Sequence, residues 1–223
     1  DERIYPASMT KIMTALLTIE NLPDLNETIT VPEDIFEELT AQDASVAGFN
    51  PYEQPTVRDL LYGVLLPSGA DACETLARAV GGSEEGFVAM MNQKAEELGL
   101  TNTHFENCTG LHNDNHYSTC RDIAVLMSEC LKSDTFREIV TREVYTTEAT
   151  ASHPEGITLY DTMLHRFTSY EMSTTLENGA VIEGGKTGFT DEAGQCLVSF
   201  AEYGGEEYIL VTAEAMTDSG SAV

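Results

Sequence analysis

Ser8-Met9-Thr10-Lys11 places a hydroxyl and an amine three residues apart. On a helix, positions i and i+3 share a face, so the two side chains can meet. Such a pair is a candidate nucleophile and base. A serine hydroxyl attacks a carbonyl carbon only when a neighbour takes its proton. A lysine can take that proton when burial or a second cation disfavours the ammonium form. The spacing alone is weak, because a serine cap followed by a solvated lysine one turn on reads the same way.

Two later stretches change the weight of the first. Ser68-Gly69-Ala70 follows Pro67 at the end of an apolar run, and Lys186-Thr187-Gly188 lies near the C-terminal end. An S-x-x-K, an S-D-N and a K-T-G in that order mark penicillin-binding proteins and class A β-lactamases. The flanks narrow the match. Pro6-Ala7-Ser8-Met9-Thr10-Lys11-Ile12-Met13-Thr14-Ala15, Ser68-Gly69-Ala70-Asp71-Ala72, Gly99-Leu100-Thr101-Asn102-Thr103-His104-Phe105 and Gly110-Leu111 resemble the low-molecular-mass penicillin-binding proteins. Among these the chain is most similar to the serine-type D-alanyl-D-alanine carboxypeptidases, from about Ile4 to about Met216.

By that resemblance, Ser8 attacks the carbonyl carbon of the penultimate D-alanine of a peptidoglycan stem peptide, or of a β-lactam, with Lys11 as base. Ser68 relays the proton to the departing D-alanine. Lys186 adds positive potential that lowers Lys11 and attracts the terminal carboxylate, which the Thr187 hydroxyl binds. Gly188 lets the peptide lie along the strand as an added edge, and the backbone N–H groups of Ser8 and Phe189 form the oxyanion hole. The resemblance implies no metal and no cofactor. It places the protein outside the bacterial cytoplasmic membrane, at the cell wall, with any membrane tether lying outside this chain. Two departures stand out. Ala70 occupies a place where the family usually has an asparagine whose amide holds the lysine and the substrate backbone. Some members also carry an arginine near the end of the domain, whereas no arginine follows Arg166 here.

Several elements must position these groups. Residues 7–17 read as a helix entered through Pro6, which suits a first helical turn. Residues 28–31 alternate as a short strand that Pro32 stops. Residues 40–55 read as loop. Thr56 and Asp59 form a capping box before the all-apolar run 60–66, a helix that belongs in the core. Pro67 ends it and delivers Ser68. A helix over 71–80 follows, then one capped by Ser83 and closed by Gly99. Thr119 with Asp122 repeats the box and opens a helix running to about Lys132. Residues 141–183 read as irregular β structure. Residues 195–201 and 207–213 flank Tyr203-Gly204-Gly205-Glu206 as a hairpin. Helices first and an antiparallel meander last give an α+β fold. The resemblance refines this to an antiparallel sheet flanked by helices with an inserted all-helical lobe. The whole, 1–223, is then one catalytic domain that lacks an N-terminal strand and a C-terminal segment.

Bulk properties exclude other classes. With 38 acidic and 11 basic residues, the net charge of −27 repels nucleic acid and anionic membrane surfaces. No apolar run is long enough to span a bilayer. The five cysteines form no C-x-x-C pair, and the five histidines offer no H-E-x-x-H spacing, so a metal site is not expected. Cys73 and Cys130 fall on helices as buried apolar residues. Whether Cys108 and Cys120 pair stays open. Two alternatives remain to the carboxypeptidase. A β-lactamase shares the three motifs but needs a glutamate to activate its deacylating water, and Glu171, Glu177 with Asn178 and Glu106 with Asn107 match that pattern poorly. A non-catalytic penicillin-binding or sensor module is favoured only by Ala70.

Overall fold

Lys11–Asn21 forms α1, and every residue from Lys11 to Thr18 in it is buried. A helix apolar on one side and threonine-rich on the other is buried all round only if its polar side finds partners. Here Thr10 and Thr14 supply them: their hydroxyls bond the His116 ring and the Cys108 carbonyl at 2.8 and 2.6 Å. The computed structural model describes residues 2–215; Asp1 and residues 216–223, which the one-domain reading includes, lie outside them, as does Met216 at the limit of the resemblance.

Ser8 itself stands on a 3-10 turn, Ala7–Thr10, that leads into α1. The expected helix over 7–17 is therefore two segments. Ala7 has φ 46, in the left-handed region, and the tighter winding lets the chain enter α1 from that bend. Around α1 pack α3 (Val57–Leu65), α4 (Ala70–Gly81), α5 (Glu84–Glu97), α6 (Cys120–Cys130) and α7 (Asp134–Val140). Helix α3 is buried almost throughout and has both halves of the Thr56–Asp59 capping box. Ser83 caps α5 through Gly86 N, and Gly99 closes it at φ 71. At α6 only half of the expected box forms. Thr119 accepts from Asp122 N, but the Asp122 carboxylate turns to Asn102 N and the Thr103 hydroxyl.

Four expectations need correcting. Residues 28–31 make only an isolated bridge, Thr28 to Thr56, rather than a strand. Two short helices were not anticipated, α2 (Ile35–Ala41) and α7, although Ser133 caps α7 by a hydroxyl bond that its position signals. The 141–183 region holds a short hairpin, β1 (Val144–Thr146) with β2 (Thr158–Tyr160), and a helix, α8 (Leu164–Ser169). The lobe between α1 and the sheet is thus mainly helical and also carries that hairpin.

The chain ends in an antiparallel sheet of order β3-β4-β5: Val181–Thr190, Gly194–Tyr203 and Glu206–Ala215. Gly204 and Gly205, at φ 63 and 82, form the two-residue turn that pairs Tyr203 with Glu206. Ile209, Val211 and Ala213 of β5 face the helical core, while Tyr208 and Leu210 on the other face are exposed. The first edge of β3 runs beside the 3-10 turn that carries Ser8. Sheet edge and lobe thereby enclose a cleft.

Candidate active site

Lys11 is 3 % exposed, and its Nζ donates to Ser8 Oγ at 3.0 Å and to the Thr109 carbonyl at 2.6 Å. Burial depresses the lysine below its ordinary 10.5, against the opposing pull of Cys73, Cys108 and Asp71. Burial and the Lys186 charge were both expected causes. Burial is the larger one, and the repulsion between the two amines is felt at Lys186, held down to about 7 by burial first and by Lys11 second.

The carbonyl that holds Lys11 comes from a loop whose shape is set by Asn107. Its Oδ1 accepts from Thr109 N and Gly110 N, and its Nδ2 donates to the Leu111 carbonyl. Gly110 sits at φ 83, where a Cβ would lie 1.9 Å from the Ala7 carbonyl oxygen, so only glycine lets the loop close on the serine turn. Sequence reasoning found Gly110 and missed Asn107 and Thr109; an asparagine three residues before a glycine was the available signal. His116 supports the same loop. It accepts from Glu106 N at Nδ1, which leaves Nε2 protonated to donate to Thr10 Oγ1, and burial holds its pKa down to about 3, keeping the ring neutral.

Ser68 lies across the cleft at φ 66. It is buried, and its hydroxyl has no hydrogen-bond partner among the described residues. It is delivered by Pro67 as expected, and Asp71, three residues on and without a predicted role, fastens the start of the helix that follows. The Asp71 carboxylate accepts from Ala47 N, Gly48 N, Phe49 N and Ala72 N at 2.7–3.0 Å, clasping the 47–49 loop to the start of α4. Ala70 is buried, and its N–H donates to the Ser45 carbonyl.

The third wall is β3. Lys186 is 1 % exposed and donates to the Thr187 carbonyl at 3.1 Å. Thr187 Oγ1 is 2.6 Å from Thr162 Oγ1. A Cβ on Gly188 would come within 3.0 Å of Ser8 N and 3.1 Å of the Pro6 carbonyl oxygen, so the strand passes Ser8 closely enough that any side chain there would crowd it. Ser8, Ser68, Thr187, Gly188 and Phe189 line one cavity of about 500 Å³. Five of the seven predicted site residues therefore line this cleft; Lys11 is buried and joins it through its contact with Ser8, and Lys186 is buried within electrostatic reach of Lys11. Cys73 sits near both lysines, and burial pushes its thiol up to about 12, so it stays protonated and does not compete as a nucleophile.

The chain matches the profile of the D-alanyl-D-alanine carboxypeptidase family, peptidase family S11, over residues 1–217. It belongs to that family. DacF of Bacillus subtilis, a D-alanyl-D-alanine carboxypeptidase, is 36 % identical over 218 residues, 97 % of this chain and 53 % of DacF. The D-alanyl-D-alanine carboxypeptidase of Streptomyces strain K15 is 36 % identical over 94 % of this chain and 72 % of its own length. A crystal structure of a variant of the Streptomyces DD-transpeptidase superposes with a TM-score of 0.86 at 33 % identity, covering 99 % of this chain and 85 % of that one. The chain thus spans about half the length of DacF and most of the Streptomyces enzyme.

Within this S11 domain all five cysteines are free, which answers the open question about Cys108 and Cys120. One grouping with metal-ligand geometry exists among the described residues: Glu74, Glu84 and Cys108 bring their ligand atoms within 4.8 Å of one another. They come from two helices and a loop, so sequence spacing could not show them. Arg78 Nε lies 3.7 Å from the Glu74 carboxylate. None of the three lines the Ser8 cavity.

Proposed function

We propose that this S11 domain is a serine D,D-carboxypeptidase that removes the terminal D-alanine from peptidoglycan stem peptides through an acyl-enzyme, and that β-lactams acylate the same serine. The observation that carries this is the Ser8–Lys11 contact: a buried amine with depressed basicity, 3.0 Å from a hydroxyl that opens on a cleft. Lys11, in its free-amine form, takes the Ser8 proton as Oγ attacks the penultimate D-alanine carbonyl carbon. The negative charge on the carbonyl oxygen is met by the N–H groups of Ser8 and Phe189; the close passage of β3 at Gly188 supports that placement. Ser68 passes the proton on to the departing amine of D-alanine as the C–N bond breaks. Its unpartnered hydroxyl supports this role, since a group that waits for substrate needs a vacant bond. Thr187 binds the terminal carboxylate. Lys186, buried and within electrostatic reach of Lys11, contributes through its field. Water then attacks the ester, and Ser8 recovers its proton.

Ala70 offers no side-chain amide, so a hydrogen bond worth about 1–3 kcal/mol has to come from elsewhere or be absent. This bears on rate more than on reaction class. The β-lactamase alternative is weakened further: Glu106, Glu171 and Glu177 do not line the Ser8 cavity, although Asp43, Asp191 and Glu192 do. One observation favours a second reading. The Streptomyces relative carries both the carboxypeptidase and the transpeptidase name, so the acyl group can pass to an amine instead of water. The site of action is the cell wall outside the bacterial membrane, where such peptides are found. No helix among the described residues is long and apolar enough to cross a membrane.

Intact-mass analysis after incubation with a penicillin, with D-alanine release from a D-Ala-D-Ala peptide measured in parallel, tests the assignment. A lasting Ser8-dependent adduct together with D-alanine release is expected. An adduct that clears in seconds while penicillin is consumed indicates a β-lactamase. An adduct without peptide turnover indicates a sensor, and no adduct at all removes the catalytic assignment.

A further inference from the structure

Between β2 and α8 the chain makes a short strap, Asp161-Thr162, that touches the approach to Ser68 and the Lys186-Thr187-Gly188 motif. Thr162 N donates to the Leu66 carbonyl at 3.2 Å, two residues before Ser68. The Thr162 hydroxyl lies 2.6 Å from that of Thr187 and on the wall of the Ser8 cavity. The strap is itself tied down. Asp161 N donates to the Glu143 carbonyl at 2.8 Å, and Asp161 Oδ1 accepts from Met163 N and Leu164 N at 2.9 and 2.6 Å, starting α8.

We infer that Thr162 is a positioning residue for recognition of the substrate carboxylate: its hydroxyl donates to Thr187 Oγ1 and so turns the Thr187 proton toward the anion. This rests on the carboxypeptidase reading above. The reason is a count of protons. Each threonine hydroxyl has one to give, and an ionised carboxylate only accepts. If Thr187 donates to the carboxylate, it has nothing left for Thr162, and the 2.6 Å bond between the hydroxyls is filled by the Thr162 proton alone. The direction of the pair is then determined, Thr162 to Thr187 to carboxylate. Each bond in such a chain polarises the next. Thr187 is held at both ends, its hydroxyl by Thr162 and its carbonyl by Lys186. Without Thr162 the Thr187 hydroxyl can rotate away and must be reoriented on binding.

The carboxylate is present in both the bound substrate and the transition state. Loss of Thr162's hydroxyl therefore weakens binding with little effect on the chemical step. The experiment uses Thr162→Val, close in shape but without the hydroxyl, with Thr162→Ala as a second deletion and Thr162→Ser as the conservative control. Three readouts are taken on each: KM and kcat for a D-Ala-D-Ala peptide, the acylation rate by a penicillin, which carries a carboxylate, and the labelling rate by a neutral phosphonylating serine probe, which does not. Thr162→Val and Thr162→Ala are expected to raise KM and slow penicillin acylation about five- to tenfold, leaving kcat within about twofold and neutral-probe labelling unchanged. Thr162→Ser is expected to behave as wild type. Equal losses on the penicillin and the neutral probe would mean a merely structural residue, and unchanged KM would remove the role outright; both overturn the inference while the wild type still acylates. A wild type that neither forms the adduct nor releases D-alanine overturns the carboxypeptidase reading instead.

Discussion

The two serines of the cleft are built in opposite ways. Ser8 is engaged: its hydroxyl accepts from Lys11, and that lysine is pinned to a carbonyl of the 107–111 loop. Ser68 is left open: its backbone stands at φ 66, just before an α4 start that Asp71 fastens to the 47–49 loop, yet its hydroxyl has no partner among the described residues. A nucleophile has to be aligned with its base before substrate arrives, because misplacement is multiplied in the rate. A proton relay needs an unoccupied bond that only the substrate or intermediate fills. The two differ in the bond to the side chain: Ser8 has its partner in place, and Ser68 does not.

The largest break in this comparison is expected from Ser8→Ala, which should lower penicillin acylation at least about 10⁴-fold; the adduct peak by mass spectrometry should vanish. Lys11→Met keeps the bulk and removes the amine, and acylation should fall about 10³-fold. The wild-type pH profile tests the same residue. Only the free amine accepts the proton, so the rate rises with pH and levels above the pKa of Lys11; because burial lowers that pKa, the plateau should begin below 10.5. A rising limb that tracks an unshifted lysine would contradict the base assignment.

Ser68→Ala should cost about 10²-fold in acylation and, unlike most changes at a buried polar residue, should not destabilise the fold. The hydroxyl it removes is buried and unpaired, so thermal unfolding should occur at or above the wild-type temperature. A clear drop in melting temperature would mean the hydroxyl has a partner after all. The smallest effect is expected from Asn107→Ala, which loosens the loop behind Lys11. Acylation at neutral pH should fall about tenfold, and the plateau should move to higher pH as water reaches the amine and its pKa climbs back toward the ordinary value. An unmoved plateau would show that the Thr109 carbonyl is held without Asn107.

What the sequence by itself determined is local. Ser8 and Lys11 meet because three residues of helical winding bring them together. The Thr56–Asp59 box, the Ser83 cap and the Gly204-Gly205 turn depend on partners within a few residues, so their chemistry can be read off the chain. The order of the three motifs carried the family, and helices followed by an antiparallel meander carried the α+β plan that the structure shares with its relatives. Where the local signal was half right, a distant group had outcompeted the near one: Asp122 leaves the Thr119 cap for Asn102 and Thr103.

The tertiary structure alone decided the rest. Thr109 reaches Lys11 across 98 residues, His116 reaches Thr10 across 106, and Thr162 meets Thr187 across 25. Burial as the main cause of the low Lys11 pKa, the burial of Lys186 beside it and the free state of the cysteines are likewise outcomes of packing. The physical reason is the same in each case. A cap or a turn is closed by the covalent chain, whereas a buried amine or hydroxyl takes whichever partner the assembled core leaves within about 3 Å, and no spacing along the sequence specifies that distance.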